Sequence, residues 1–288
     1  MRAIYKRELD SYFHSMIGYV FIAFFLAFTG VYFMAYNLNY GYPIFSYVLS
    51  SLVFILLIAI PVLTMKSFSE DRKSRTDQLL LTAPVSLGQI VMGKYLAMVT
   101  VYLIPSLVFC LYPLVIKMQG NAYLLTDYCG ILMFFLMGCV FISIGMFLSS
   151  LTESQIIAAI SSFGVLLVLY LWDGILGFLP SSALLNLIIL LVLLSLVSVL
   201  VWHITGNLVI AGVLELFFLA AGIIVYAVDS SLYESLLSDV LGQLDLTAPL
   251  TDVVASSLLD TGSIILYLSV IGLFIFLTMQ SIQKRRWS

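Results

Sequence analysis

Long apolar runs separated by short polar segments dominate this chain. Eight of the runs are long enough to cross a bilayer, because one helical crossing needs about 20 residues. They cover residues 17–37, 44–64, 90–116, 128–150, 156–172, 183–203, 208–228 and 263–282. The pattern predicts an all-α polytopic membrane protein with about eight transmembrane helices. We expect residues 1–288 to form a single transmembrane domain.

The composition supports this class. Of the 288 residues, 62% are hydrophobic and only 9% are charged, whereas a soluble domain has about a quarter of its residues charged. The three cysteines all fall in predicted spans without metal-ligand spacing. We therefore expect them to be small buried apolar residues.

The distribution of basic residues predicts the orientation. Of the twelve Lys and Arg residues, three precede the first span, five lie in the polar stretch from residue 66 to residue 94, and three follow the last span. Lys117 is the exception. Because basic residues collect in cytoplasmic loops, both termini and the loop after the second span are predicted to be cytoplasmic.

Two segments outside the spans have the pattern of amphipathic helices. Residues 1–16 alternate aromatic and cationic residues, which favours an interface helix over a plain extension of the first span. Residues 229–262 form the longest outer loop and have two apolar stripes, so we expect two short helices there. The first stripe is Leu232, Leu236, Val240, Leu241 and Leu244, and the second is Leu250, Val253, Val254 and Leu258.

The least hydrophobic stretch lies between the second and third spans and contains a predicted cytoplasmic loop, residues 65–89. Thr76 starts a short apolar run that Pro84 ends, and Ser86 is placed to cap the helix of the third span. A short helix held between two spans would be a good handle for a soluble partner. The alternative is an ordinary basic loop that only sets the topology.

Glu215 is the only ionisable residue well inside a predicted span. A carboxylate in hydrocarbon is costly and marks a candidate functional site, although a structural hydrogen bond to a neighbouring helix would also account for it. Every Asp lies outside the predicted spans, and the sequence has neither a Gly-rich phosphate loop nor an H-E-x-x-H motif. We therefore expect a non-catalytic chain without a cofactor or metal of its own.

Four stretches of the sequence resemble segments of one known protein family. They are residues 5–13 (YKRELDSYF), residues 68–94 with LLLTAPVS and QIVMGK, residues 149–156 (SSLTESQI), and residues 267–287. In this order they resemble ABC-2 type transporter permeases, most closely the gliding-motility-associated branch. The resemblance implies that two permease subunits pair, and that each docks an ATP-binding cassette ATPase, which holds the ATP and Mg.

The resemblance also implies a coupling helix from Thr76 to Val85 that seats in the ATPase. Two positions depart from the family pattern, since Arg75 stands where Gly is expected and Gln78 where Glu is expected. The predicted ATPase-coupling residues are Thr76, Gln78, Leu79, Leu80, Leu81, Thr82, Pro84 and Val85.

The sequence therefore predicts the permease subunit of an exporter in a bacterial plasma (inner) membrane, working by alternating access on an unidentified substrate. Its expected partners are the ATPase, a second permease subunit of the same or a related chain, and the lipid bilayer, with no nucleic acid. Two alternatives stay open. One is an ion-coupled secondary transporter that uses Glu215, and the other is a membrane scaffold or sensor subunit that transports nothing.

Overall fold

The computed structural model describes residues 1–76, 85–228, 230–256 and 259–287. Within these ranges the chain is helical and has no strand. A π-helical turn covers Met34–Asn39, and a 3-10 turn covers Ser230–Tyr233. The described α-helices are α1 (Arg2–His14), α2 (Ile17–Phe33), α3 (Ser46–Thr64), α4 (Ser69–Lys73), α5 (Leu87–Phe109), α6 (Tyr112–Gln119), α7 (Leu124–Leu151), α8 (Gln155–Tyr170), α9 (Trp172–Leu176), α10 (Ala183–Thr205), α11 (Leu208–Val228), α12 (Leu236–Gly242), α13 (Ala248–Ser256) and α14 (Thr261–Trp287).

Several of these helices are suited to crossing a membrane. Two apolar helices, Gln155–Tyr170 and Gly212–Gly222, are shorter in their described parts and coincide with the predicted fifth and seventh spans. The all-helical membrane class is confirmed, whereas the predicted count of eight spans is not. The six described segments that are long and apolar enough are Ile17–Asn39, Ser46–Lys73, Leu87–Gln119, Leu124–Leu151, Ala183–His203 and Thr261–Lys284.

The predicted third span is broken into two helices. Helix α5 continues through Pro105 and ends at Phe109. The amides of Cys110 and Leu111 then donate to carbonyls three residues back, at 3.3 and 3.0 Å, and α6 begins with Pro113 in its first turn. Proline is tolerated there because the first-turn amides have no intrahelical acceptor.

The described helices form two compact units. The first contains Met1–Tyr170 and Leu246–Ser288, and the second contains Leu171–Asp245. In the second unit α10 packs against α11. Trp172 Nε1 donates to Leu241 O at 2.8 Å, and Asn186 Nδ2 donates to Tyr233 O at 2.9 Å. These bonds connect α9 and α10 to the short elements that follow α11.

The core of the first unit is built on α3 and α7. In the most apolar 18-residue stretch of each helix, about 67% of the residues of α3 and 72% of those of α7 are buried. The two helices approach closely because Gly130 and Gly145 of α7 face hydroxyls of α3. A Cβ at Gly130 would overlap Ser46 Oγ, and a Cβ at Gly145 would overlap Thr64 Oγ1. Small residues at such positions let membrane helices pack backbone to backbone.

A polar side chain of α7 holds each end of this contact. Asp127 Oδ1 accepts hydrogen bonds from the amides of Phe45 and Ser46, at 2.8 and 3.1 Å, at the start of α3. Asp127 is fully buried. The prediction that every Asp lies outside the spans is wrong here, because α7 begins four residues before the predicted start and takes Asp127 into its first turn.

Helix α1 is separate from α2. It ends at His14, and Met16 adopts a left-handed φ of 60° before α2 begins. Ile4 and Tyr12 are buried, while Lys6 and Asp10 are exposed. The backbone break excludes a continuous extension of α2. The position of α1 at a membrane interface stays a prediction.

Two short helices, α12 and α13, lie in the predicted outer segment, and the first apolar stripe does not lie on a single helix. Leu232, Val240 and Leu244 are 57%, 55% and 56% exposed, whereas Leu237 is buried. The 3-10 turn and the left-handed Ser235, with φ of 58°, interrupt the single helix that this stripe assumed.

In the second stripe Leu250 and Val253 are each 1% exposed. Leu258 lies outside the described residues.

Candidate coupling site

The structure describes both ends of the predicted coupling segment. Thr76 follows α4, and Val85 packs against the hydrophobic core of the first unit. The predicted residues Gln78, Leu79, Leu80, Leu81, Thr82 and Pro84 lie outside the described residues, so their role stays a prediction.

The segment leaves α4 through a Schellman motif. The amide of Arg75 donates to Arg72 O at 3.0 Å, and the amide of Thr76 donates to Asp71 O at 2.9 Å. This motif places one residue in the left-handed conformation, most often a glycine. Here that residue is Arg75, with φ of 56°. The position where the family pattern has Gly therefore keeps the backbone conformation that glycine favours.

Ser149, near the end of α7, holds the start of the loop. Its Oγ accepts hydrogen bonds from the amides of Phe68 and Ser69 at 3.2 and 3.3 Å, and donates to Met65 O at 3.1 Å. The two amides would otherwise be unpaired, because the first amides of a helix have no intrahelical acceptor. A side chain of the fourth span thus fixes the chain as it leaves the second span.

Lys94 of α5 holds the same turn from another side. Its side chain is 2% exposed. Nζ lies 2.7 Å from Asp71 Oδ2, 3.0 Å from Glu8 Oε1 and 2.6 Å from Ser67 O, to which it donates. A buried ammonium is tolerated only when it is paired and hydrogen-bonded, and this one has two carboxylates and a carbonyl. We refer to Lys94, Asp71, Glu8 and Arg7 as the ionic cluster.

Asp71 extends the ionic cluster to the coupling segment. Its Oδ1 accepts a hydrogen bond from Thr76 Oγ1 at 3.0 Å, while its Oδ2 faces Lys94. The two oxygens of one carboxylate thus link a buried lysine of the third span to the first residue of the predicted coupling helix.

Helix α1 closes the other side of the ionic cluster. Arg7 Nη2 lies 2.6 Å from Glu8 Oε1, and Tyr12 donates its hydroxyl hydrogen to Leu63 O at 3.1 Å. Burial raises the pKa of the Tyr12 phenol well above its ordinary value, and the carboxylates of Glu8, Glu70 and Asp71 raise it further. The phenol therefore stays a neutral donor at working pH.

A cavity of about 290 Å³ lies against the ionic cluster. The charged side chains that line it are balanced in number, so the cavity selects neither an anion nor a cation by net charge. We therefore read the ionic cluster as a link between helices. The charged lining residues are Arg7, Lys66, Lys94, Glu8, Glu70 and Asp71.

The far end of the segment is anchored as the sequence predicts. Ser86 is the N-cap of α5, and its side chain accepts a hydrogen bond from the amide of Gln89 at 3.4 Å. The coupling segment is therefore held at its start by Asp71 and at its end by a capped helix.

Glu215 lies apart from this site along the chain, in α11 of the second unit. Its Oε2 is buried and has no hydrogen-bond partner among the residues that the structure describes. In the same described part of the chain, no group of three or more His, Cys, Asp or Glu side chains is placed to hold a metal ion.

The sequence pattern did not reveal the ionic cluster. Lys94 counts there as one basic residue of the polar stretch between the second and third spans, and no pattern singles out Glu8 or Asp71. A lysine four residues into an apolar run, with aromatic and apolar neighbours, is a local signal for burial. Its two carboxylate partners are far away in sequence, Glu8 in α1 and Asp71 in α4, so only the tertiary packing around Lys94 identifies them.

Taken together, the fold and this site define a polytopic helical membrane protein whose polar loop between two spans is fastened at both ends. The sequence model of the ABC-2 family transporter protein matches residues 10–211, which is more than half of the chain. The chain belongs to the ABC-2 transporter family. The family supports a membrane subunit of an ABC transporter, normally non-catalytic, that works with an ATPase partner. A comparison with curated proteins gives no match.

Proposed function

We propose that this chain is the transmembrane permease subunit of an ATP-binding cassette exporter, and that residues 76–85 couple it to a separate ATPase. The observation that supports this most is the anchoring of the segment. A helix that receives mechanical work must be connected to the spans that it moves, and Thr76 is bonded to Asp71, which pairs with Lys94 of α5.

Alternating access requires two global states that the ATPase binds with different affinity. In the proposed cycle, ATP binding closes two ATPase subunits, and each moves the coupling segment of one of two paired permease chains. The segment carries α4 and α5 with it, and the spans rearrange. Substrate moves from the cytoplasmic to the outer side of a bacterial plasma membrane.

The proposal places both termini and the coupling segment in the cytoplasm, with eight crossings. Helix α11 has 21 residues and spans about 31 Å, enough for a bilayer core of about 30 Å. Helix α8 has 16 residues and reaches about 24 Å, so its crossing needs the adjoining α9 or a locally thinner bilayer. Both eight and six crossings leave the termini on one side.

Cysteine labelling tests this orientation. In a variant without the three native cysteines, Lys73→Cys and Lys117→Cys are introduced one at a time, and intact cells receive a membrane-impermeant maleimide. We expect labelling at position 117 in intact cells, and at position 73 only after permeabilisation. Labelling of position 73 in intact cells would exclude a cytoplasmic coupling segment.

Co-purification tests the coupling. A candidate cassette ATPase, chosen from the genes that neighbour this one, is tested for capture by the wild-type permease and by a Leu79→Asp, Leu80→Asp variant. The two new carboxylates should abolish capture of the ATPase, because burying an unpaired charge in an apolar contact is costly. Leu151→Asp is the matched control, since Leu151 is 48% exposed at the proposed cytoplasmic end of α7. Equal capture of the double variant and the wild type would exclude this coupling segment.

One observation favours a second candidate, an ion-coupled secondary transporter. The unpartnered Oε2 of Glu215 among the described residues is what an intramembrane ion or proton site would present. Transport that survives deletion of the ATPase gene and is lost in Glu215→Gln would establish this function in place of the exporter.

A further inference from the structure

We propose that Lys94 is a positioning residue for the coupling segment. Its buried ammonium contacts both α1 and the first turn of the loop. The contacts make α1, α4 and α5 move together when the ATPase changes conformation. This inference rests on the proposed function for its consequence, but its geometry can be tested without the ATPase.

The first step of the argument is connectivity. Through Asp71, Lys94 reaches Thr76 in two contacts of 2.7 and 3.0 Å. Through Glu8, at 3.0 Å, it reaches the N-terminal helix α1. One side chain of the third span therefore links the predicted coupling helix to the N-terminal helix, which lies outside the coupling segment.

The second step concerns how firmly α1 is held at this point. Ile4 of α1 packs against Gly93, the neighbour of Lys94, so closely that a Cβ at Gly93 would lie 3.1 Å from Ile4 Cγ2. Tyr5 adds a hydrogen bond to Thr100 Oγ1 at 3.0 Å. Helix α1 is thus packed and bonded along α5, so a displacement of α5 moves α1 with it.

The third step is the charge balance. The ionic cluster contains two cations, Lys94 and Arg7, and two carboxylates, Glu8 and Asp71. Loss of the Lys94 ammonium leaves two buried or half-buried carboxylates beside each other, which destabilises any fold. Replacing Lys94 alone therefore changes both the positioning of the helices and the stability of the fold. A charge-matched variant is needed to separate these two effects.

The experiment compares three variants in the full-length chain without native cysteines, with spin labels at Asp10→Cys in α1 and Lys73→Cys in α4, both exposed positions. Lys94→Met removes the ammonium. The triple variant Lys94→Met, Glu8→Gln, Asp71→Asn also removes the unbalanced carboxylates. Lys66→Met is the matched control, because Lys66 lines the same cavity but its Nζ lies 3.9 Å from Glu70 Oε2, beyond hydrogen-bond distance.

We expect the distance distribution between the labels to broaden in Lys94→Met and in the triple variant, and to stay narrow in Lys66→Met. The triple variant should regain thermal stability but not the narrow distribution. It should also capture the cassette ATPase on the order of tenfold more weakly than wild type, within the range typical of coupled sites. A narrow distribution in a folded triple variant, or full ATPase capture by it, would overturn the proposal.

The outcomes separate this inference from the proposed function. If wild-type permease captures no ATPase while the label distances change as expected, the exporter assignment fails and Lys94 remains the link between α1 and α4. If wild type captures the ATPase and the distances do not respond to Lys94, the exporter assignment stands and the positioning role is excluded.

Discussion

The two ends of the contact between α3 and α7 are built alike but held by different chemistry. At one end Gly130 faces Ser46, and Asp127 accepts from two amides at the start of α3. At the other end Gly145 faces Thr64, and Ser149 accepts from two amides at the start of α4.

The difference between these ends lies in charge and in neighbours. Asp127 supplies a carboxylate oxygen, which makes stronger hydrogen bonds than a hydroxyl does. Ser149 supplies only a hydroxyl, and the adjoining turn depends in addition on Lys94 and Asp71. The end at Asp127 is therefore held by the stronger hydrogen bonds, whereas the end at Ser149 adjoins the turn that leads into the coupling segment.

Replacing Asp127 should have the largest effect. Asp127→Ala removes the acceptor for the amides of Phe45 and Ser46, leaving two buried donors unpaired, while Ser46 Oγ keeps Thr126 O as an acceptor. Since each such group costs about 1–3 kcal/mol, we expect a loss of about 3–5 kcal/mol in the free energy of unfolding, measured in bicelles. Asp127→Asn keeps the accepting oxygen and should lose about 1 kcal/mol. Equal losses would show that the amides find other acceptors.

Replacing Gly145 by alanine, at the opposite end of the contact between α3 and α7, should have the next largest effect. A methyl group at Gly145 overlaps Thr64 Oγ1, and overpacking of this kind costs about 1–3 kcal/mol. Gly164→Ala in α8 is the control, because a Cβ there meets nothing within 4 Å. We expect a lower unfolding temperature for Gly145→Ala only. Tolerance of Ala at both positions would contradict the close approach of α3 and α7.

The sequence predicts the spans and the ends of the coupling segment, because both are local properties. Hydropathy reports the crossings, since a backbone in lipid must satisfy its own hydrogen bonds and does so as long apolar helices. The cap at Ser86 follows from a serine placed before a helical run. The break after Phe109 is not predicted, because hydropathy shows one continuous apolar run over residues 90–116.

The ionic cluster could not be predicted in the same way. Whether Lys94 extends towards water or turns inward depends on α1 packing over it, and that contact joins residues far apart in the chain. The buried position of Asp127 likewise depends on α3 presenting its first amides to α7. Both features are tertiary, and neither leaves a periodic signature in the sequence.

Replacing Ser149 should have a smaller and more local effect than either substitution above. Ser149→Ala removes three hydrogen bonds to residues 65–69, and we expect a loss of about 1–2 kcal/mol. Hydrogen exchange should increase at the amides of Phe68 and Ser69 while those of Phe45 and Ser46 stay protected.

Ser150→Ala provides the control for this local effect. Ser150 is fully buried, and its hydroxyl has no partner among the described residues, so its loss should be neutral. An exchange pattern that is the same in both alanine variants would remove the distinction between the two ends of the contact.

The smallest predicted effect concerns Arg75, where α4 joins the coupling segment. A left-handed conformation costs a non-glycine residue about 1–2 kcal/mol, and glycine gives back about 0.5–1 kcal/mol of this through its greater freedom in the unfolded chain. Arg75→Gly should therefore stabilise the fold by at most about 1 kcal/mol. Lys73→Gly, at an exposed helical position two residues earlier, should destabilise it by about 1 kcal/mol. Because the two substitutions differ only in the backbone conformation that they meet, opposite signs in thermal unfolding would establish the Schellman motif at the end of α4. Destabilisation by both would mean that residue 75 is right-handed and that the chain enters the coupling segment by another path.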